Sequence, residues 1–292
     1  MQISAVLLGL VSLSSSVVST LAAPSESLPW DGRAKDLTVD KLEDKYVTKV
    51  LTQRNGKANG APADYVTITA DGRSPAYNGD SGVIDIGVDD KAVWSSETYS
   101  RRSELVQNIT TNATGTTFFR ASVLKNDTFF YPYGWKLIFP DSQLFEIRVD
   151  ATSDLPKILY MTNGTKGAQW TSRFKLDTWY NFGVGVKPAS TGKGTELQFY
   201  TSTGDADLAL NITTEIAVEF PSTVEMHYGL LTQSKSKTGP MLSKKQEIMS
   251  FNGVSAESEV VTTATVDTAQ TASSVAGEAE EVHQTGKKTF TF

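Results

Sequence analysis

From about Asp64 to Val254 the chain is a succession of short segments in which apolar and polar residues alternate, with glycine, asparagine, aspartate or proline in most gaps. That pattern restricts the fold more than any other feature. Period-two alternation sends successive side chains to opposite faces of a strand, and β-branched and aromatic residues fill a pleated surface. The segments predicted as strands are 65–69, 83–88, 116–124, 135–139, 144–149, 157–161, 170–174, 179–186, 196–201, 224–231 and 248–254. Tyr99–Gln107, which contains neither glycine nor proline, reads as a further strand. Many short strands in one domain predict an all-β fold: a β-jelly roll or sandwich of two antiparallel sheets, one presenting a concave substrate groove. No internal repeat supports a propeller or solenoid. Only Asp36 to Leu51 suggests a helix, with Leu42, Tyr46 and Val50 at spacing four.

The two ends differ from this body. A short apolar run followed by small residues makes 1–22 a predicted secretory signal peptide, cut after Ala22 because Pro24 disfavours cleavage one residue later. Residues 23–256 form the predicted folded domain. Residues 257–292 are rich in Ser, Thr, Ala, Val and Glu with few large apolar residues, which predicts a disordered tail. Secretion fits the acceptor tripeptides that begin at Asn108, Asn112, Asn126, Asn163 and Asn211. The chain has no cysteine, so a secreted domain of this composition depends on a large core. Thiol catalysis and cysteine-ligated metals are excluded. With a net charge of −6 and no extended basic cluster, nucleic acid is not an expected partner. No membrane association is expected either, and the protein is expected to be a monomer.

Three predicted strands carry polar residues where a half-buried strand would be apolar. Tyr99–Gln107 puts Arg102 and Glu104 on one face and Arg101, Ser103 and Leu105 on the other. Glu146, Arg148 and Asp150 alternate with Phe145, Ile147 and Val149. Glu225 and His227 alternate with Val224, Met226 and Tyr228, and His227 is the one histidine of the predicted domain. Each face reads either as bulk-solvated strand or as groove lining. Glycoside hydrolysis needs two groups flanking the scissile bond, one to protonate the leaving oxygen and one to activate water or attack the sugar. Glu104 and Glu146 qualify as such a pair, with His227 placed to orient water or a carboxylate. Arg102 and Arg148 join the substrate-binding candidates. So do Tyr99, Tyr131, Tyr133 and Trp135, because sugar rings stack on aromatic faces. Trp179 reads as core. No zinc signature and no calcium loop of recognisable spacing occurs; Asp89-Asp90 and Asp205 to Asp207 read as turns. No metal and no cofactor is expected.

Leu28-Pro-Trp-Asp-Gly-Arg33, Tyr99-Ser-Arg-Arg-Ser-Glu-Leu105, Trp179-Tyr-Asn-Phe182 and Met226-His-Tyr-Gly-Leu-Leu231 follow one another in an order that resembles the fungal glycoside hydrolases of family 131. The resemblance spans Leu28 to Val254. It implies a β-jelly roll with an open cleft and hydrolysis of β-glucans, with β-1,3, β-1,6 and β-1,4 linkages all within the family. It places the catalytic roles on Glu104, Glu146 and His227, with Asp141 the alternative second carboxyl. Two rival readings stay open: a jelly-roll polysaccharide lyase that recruits Arg102, His227 and Tyr228 against a uronic-acid polymer, and a glycan-binding protein without catalysis.

Overall fold

The computed structural model describes residues 25–163, 167–234, 239–240 and 242–265. The predicted signal peptide and most of the predicted tail lie outside them. Strands dominate. β1 (Trp30–Asp31), β2 (Gln53–Arg54), β3 (Lys57–Ala58), β4 (Val66–Thr69) and β5 (Val83–Val88) precede the long β6 (Ser100–Thr110) and β7 (Thr117–Leu124). β8 (Gly134–Pro140), β9 (Phe145–Asp150), β10 (Lys157–Thr162), β11 (Trp170–Arg173), β12 (Tyr180–Pro188) and β13 (Thr195–Thr203) follow. β14 (Ala209–Ile216), β15 (Thr223–Gln233) and β16 (Glu247–Glu257) complete the domain.

Two antiparallel sheets face each other, as the alternation predicts. One has the order β11-β10-β9-β8-β15-β6; the other runs β14-β13-β12-β7-β16-β5-β4, with β1 added on β16. Leu105, Phe145, Ile147, Tyr160, Met226 and Tyr228 of the first sheet meet Phe119, Val123, Phe182, Phe199 and Phe251 of the second in one core. Tyr160 and Phe199 stack across the interface with ring centroids 3.9 Å apart. Period two then turns Arg102, Glu104, Glu146, Arg148, Glu225 and His227 to the outer face of the six-stranded sheet.

The edge strand β6 is covered rather than open. Glu26 exchanges backbone hydrogen bonds with β6 at Asn108 and Thr110, and Val47 does so at Val106. Such cover removes a template for edge-to-edge pairing. It also explains why the predicted helix is reduced to a six-residue 3-10 turn, Val39–Asp44. Leu42, Tyr46 and Val50 are buried as the spacing suggests. However, the Tyr46 hydroxyl is tied to the Gly32 carbonyl and Val47 is paired with β6, so tertiary contacts override the local periodicity.

Two further differences appear. β14 is not among the predicted strands, although Leu210, Ile212 and Ile216 alternate with Asn211, Thr213 and Glu215; its surface is mostly exposed. Residues 257–265, predicted to be disordered, belong to the domain. Glu257 closes β16, Leu208 N–H donates to the Thr262 carbonyl (2.8 Å), and Asn78 N–H donates to the Ala264 carbonyl (2.7 Å). Ala264 N–H donates to Asp207 Oδ1 (2.6 Å) and Arg120 Nη2 to the Thr263 carbonyl (3.0 Å). Backbone groups, rather than apolar side chains, anchor this segment, which is why composition concealed it. No helix among the described residues is long and apolar enough to cross a membrane.

Candidate active site

Cross-strand register assembles the site. Arg102 pairs with Leu231, Leu231 with Lys136, Lys136 with Arg148, Arg148 with Leu159 and Leu159 with Thr171, a row that crosses the whole six-stranded sheet. An open groove of about 520 Å³ runs over the middle of this row, lined among others by Lys136, Arg148, Asp150, Leu159, Leu231 and Gln233. Beside this row, His227 pairs with Val106 on one side and Phe139 on the other. One step on from the Ile138–Ile147 pair, Phe139 comes beside Glu146. His227 and Glu146 therefore flank Phe139 on one face, two strand spacings apart, or about 9.5 Å between backbones.

Phe139 reaches this face through a bulge. Register slips between Lys136 and Ile138, so Trp135, Leu137 and Ile138 all point into the core and Phe139 points out. Its ring lies flat against His227, with centroids 4.9 Å apart and planes 5° apart. Strict alternation would have kept Phe139 inside. The same strand corrects the expectation for Trp135. That side chain is fully buried in the core and offers no platform to a sugar.

Glu104 is fully buried. It accepts hydrogen bonds from Arg102 Nε (3.0 Å) and Nη2 (2.6 Å), and its Oε2 lies 2.7 Å from His227 Nδ1. On the far side of the ring, His227 Nε2 lies 3.3 Å from Glu225 Oε1 but out of line for a hydrogen bond, and it has no other partner. Burial pushes the Glu104 carboxyl up, but the bond to His227 and the Arg102 guanidinium outweigh it and hold Glu104 below the usual range. Burial pulls His227 down, yet Glu104 and Glu225 raise it to about 9. The contact with His227 likewise holds Glu225 low, against partial burial. At neutral pH the ring is an imidazolium between two carboxylates.

This coupling has a consequence for stability. A histidine raised from 6.5 to about 9 on folding contributes stability that is complete below pH about 6.5 and disappears as pH rises through about 9, roughly 3 kcal/mol in all. Equilibrium unfolding of metal-free protein between pH 6 and 10 is expected to show this decline. A His227→Gln variant with the same slope would contradict it.

The structure brings Glu104, His227 and Arg102 into direct contact and places Glu146 apart from them. Glu146 is held by Lys136 Nζ (2.7 Å) and Arg148 Nη1 (3.3 Å). Asp141 is exposed, and its backbone N–H donates to the Glu225 carbonyl (2.9 Å). Its carboxylate, a Glu225 oxygen and a His227 nitrogen all lie within 4.8 Å of one another. Tyr99 is 42% exposed, and its carbonyl accepts from Ser234, which lines the groove. Tyr131 and Tyr133 lie beside the core edge. Both pack partly buried against the core, and the Tyr131 hydroxyl is bonded to Ser243 and to the Lys245 carbonyl. Tyr228, the base that a lyase would recruit, is buried on the core face. Sequence reasoning missed Lys136, which alternation between Trp135 and Leu137 does turn outward, and Phe139, whose place depends on a bulge that leaves no composition signal. Of the predicted glycosylation acceptors, Asn126, Asn163 and Asn211 are exposed, while Asn108 and Asn112 are half-buried.

The profile of the glycoside hydrolase 131 catalytic N-terminal domain matches residues 28–262. The solved catalytic domain of a family 131 β-glucanase from Podospora anserina is similar in fold, with a TM-score of 0.62 at 22% identity over 80% of this chain and 97% of that one. The family 131 catalytic domain from Coprinopsis cinerea gives a TM-score of 0.62 at 21% identity over 82% of this chain and 97% of that one. No curated protein sequence matches the chain. A domain match over most of the chain, on the fold just described, decides the family: the chain belongs to glycoside hydrolase family 131.

Proposed function

We propose that the protein is secreted and hydrolyses β-glucan in the groove on the outer face of the six-stranded sheet, as a monomer and without a cofactor. The observation that carries this reading is an imidazolium, His227, fixed by Glu104 on the same sheet face as the groove, with the Glu146 carboxylate on the other side of Phe139 and tied to Lys136 and Arg148 of the groove lining. In the proposed reaction His227 Nε2–H protonates the departing glycosidic oxygen as the C–O bond breaks. Glu146, oriented by Lys136 and Arg148, takes a proton from the water that attacks the anomeric carbon. Water then supplies both the new hydroxyl and the net proton, and solvent resets the two groups. Glu104 touches no substrate in this scheme; it is a positioning residue that holds the charge on His227. Arg102, Arg148 and Tyr99 border the path of the glucan.

Gly229 pairs with Glu104 across the strands, and any Cβ there would collide with the Ser103 carbonyl and come within 2.7 Å of Glu104 Cα. Gly229→Ala is expected to displace Glu104 and lower kcat by about 100-fold with a smaller change in KM. Steady-state kinetics on the best glucan measures this, and an unchanged kcat would contradict it.

Incubation with laminarin, pustulan, barley β-glucan and cellulose tests the function and ranks the β-1,3, β-1,6 and β-1,4 linkages. New reducing ends without ultraviolet absorbance are the expected result. Unsaturated, absorbing products from a uronic-acid polymer would replace hydrolysis with elimination. Retained glucan with no shortening would leave a binding protein.

A further inference from the structure

We propose that Asp141, Glu225 and His227 form a binding site for a divalent first-row metal ion, zinc in the first instance. Three observations support it. Each residue can present one donor atom, and the three atoms lie within 4.8 Å of one another. Donors bound to one zinc at about 2.0–2.2 Å are at most about 4.4 Å apart; the exposed Asp141 side chain closes the difference by rotation. His227 Nε2 faces this space from a ring that is 2% exposed, and no aligned hydrogen bond satisfies it. A buried ring nitrogen without an aligned hydrogen bond is rare, and here a Glu225 oxygen lies 3.3 Å from it with the Asp141 carboxylate within 4.8 Å of the pair. Finally, Nδ1 is already bonded to Glu104, whose own oxygens are fixed by Arg102. A metal-ligating histidine characteristically donates its second N–H to a carboxylate in this way, which sets the tautomer and aims the free nitrogen.

One imidazole and two carboxylates suit zinc or manganese better than calcium, which takes six to eight oxygens. Coordination requires the Nε2 proton to leave to solvent; the Nδ1 proton stays on the bond to Glu104, and no electron changes hands. The ligands come from β15 and from the turn after β8, so no sequence spacing announces them, and a sequence reading that expects no metal misses them. The ion would occupy the nitrogen that donates the proton in the proposed hydrolysis. Inhibition of hydrolysis by zinc therefore rests on that reading, whereas binding does not.

Calorimetric titration of chelator-stripped full-length protein with zinc chloride is expected to give saturable 1:1 binding. Glu104→Gln should weaken it by about 10–100-fold, and the doubly substituted Asp141→Asn, Glu225→Gln protein should lose it. Anomalous diffraction at the zinc edge should place the ion between the three side chains. Asp141 is exposed, so Asp141→Asn alone gives a folded test of the site. No saturable heat would overturn the proposal, as would equal affinity in the double variant or a zinc peak elsewhere. Zinc binding by a protein that cleaves no glucan would leave this proposal standing and remove the hydrolytic one.

Discussion

Glu104→Gln is expected to lower kcat on β-glucan by about 10²- to 10⁴-fold, the range that a positioned acid contributes, and to destabilise the protein by about 3–5 kcal/mol. The substitution keeps shape and removes charge. Glu104 accepts from Arg102 through both oxygens and from His227 through one. An amide in its place turns an NH₂ toward one of those donors and removes the carboxylate nearest to both cations, leaving the Arg102 guanidinium only Glu97 at 3.8 Å and the imidazolium only Glu225 at 3.3 Å. Burial makes this severe, because the Glu104 side chain is 0% and that of His227 3% exposed. Without the carboxylate, burial and Arg102 both drive the ring toward its neutral form, so the alkaline limb of the rate profile should move to lower pH. A merely structural role would reduce active protein without moving that limb. Thermal unfolding beside pH–rate profiles separates the two, and a variant with wild-type kcat and an unmoved limb would refute the assignment.

The largest purely structural effect is expected at Asp80. Its carboxylate is 1% exposed and receives the backbone N–H groups of Ala34, Lys35, Gly82 and Gly253 at 2.9–3.1 Å. It fastens the segment after β1 to the bend in β16. Asp80→Ala leaves three buried donors and the part-buried Lys35 N–H without an acceptor, at about 1–3 kcal/mol for each buried one before relaxation. A net loss of about 4 kcal/mol or more is expected in denaturant unfolding, a large share of the stability of most domains. Asp80→Asn should lose nearly as much, since its NH₂ faces an N–H group. A loss below about 1 kcal/mol in either variant would show that water or a rearranged loop replaces the carboxylate.

Period two accounts for how much of the site was legible. Arg102 with Glu104, Glu146 with Arg148 and Glu225 with His227 are pairs two residues apart, and the same alternation that buries Leu105, Ile147 and Met226 turns them outward. Two kinds of information were not in that pattern. Bulges reset it, as in β8, where Phe139 left the side it would share with Trp135 and Leu137 and gained a place against His227. Strand order is set by tertiary pairing, so nothing local revealed that β15 lies between β6 and β8, carrying His227 to Glu104 while one strand, β8, separates it from Glu146. Buried anchors such as Asp80 were equally silent, because an aspartate beside glycines reads as an ordinary turn. The end of the domain was hidden for the same reason, its contacts being made by backbone groups around Leu208, Thr262 and Ala264.

The most direct test of the central claim is the rate of reducing-end release from the best β-glucan by His227→Asn, set beside the wild type and beside Asp150→Asn at the far end of the groove. If His227 is the acid, His227→Asn loses about 10²- to 10⁴-fold in kcat while still binding glucan, and Asp150→Asn stays within a few-fold of wild type. If His227→Asn, shown to be folded, releases reducing ends at the wild-type rate, the chemistry lies elsewhere and this cluster is structural.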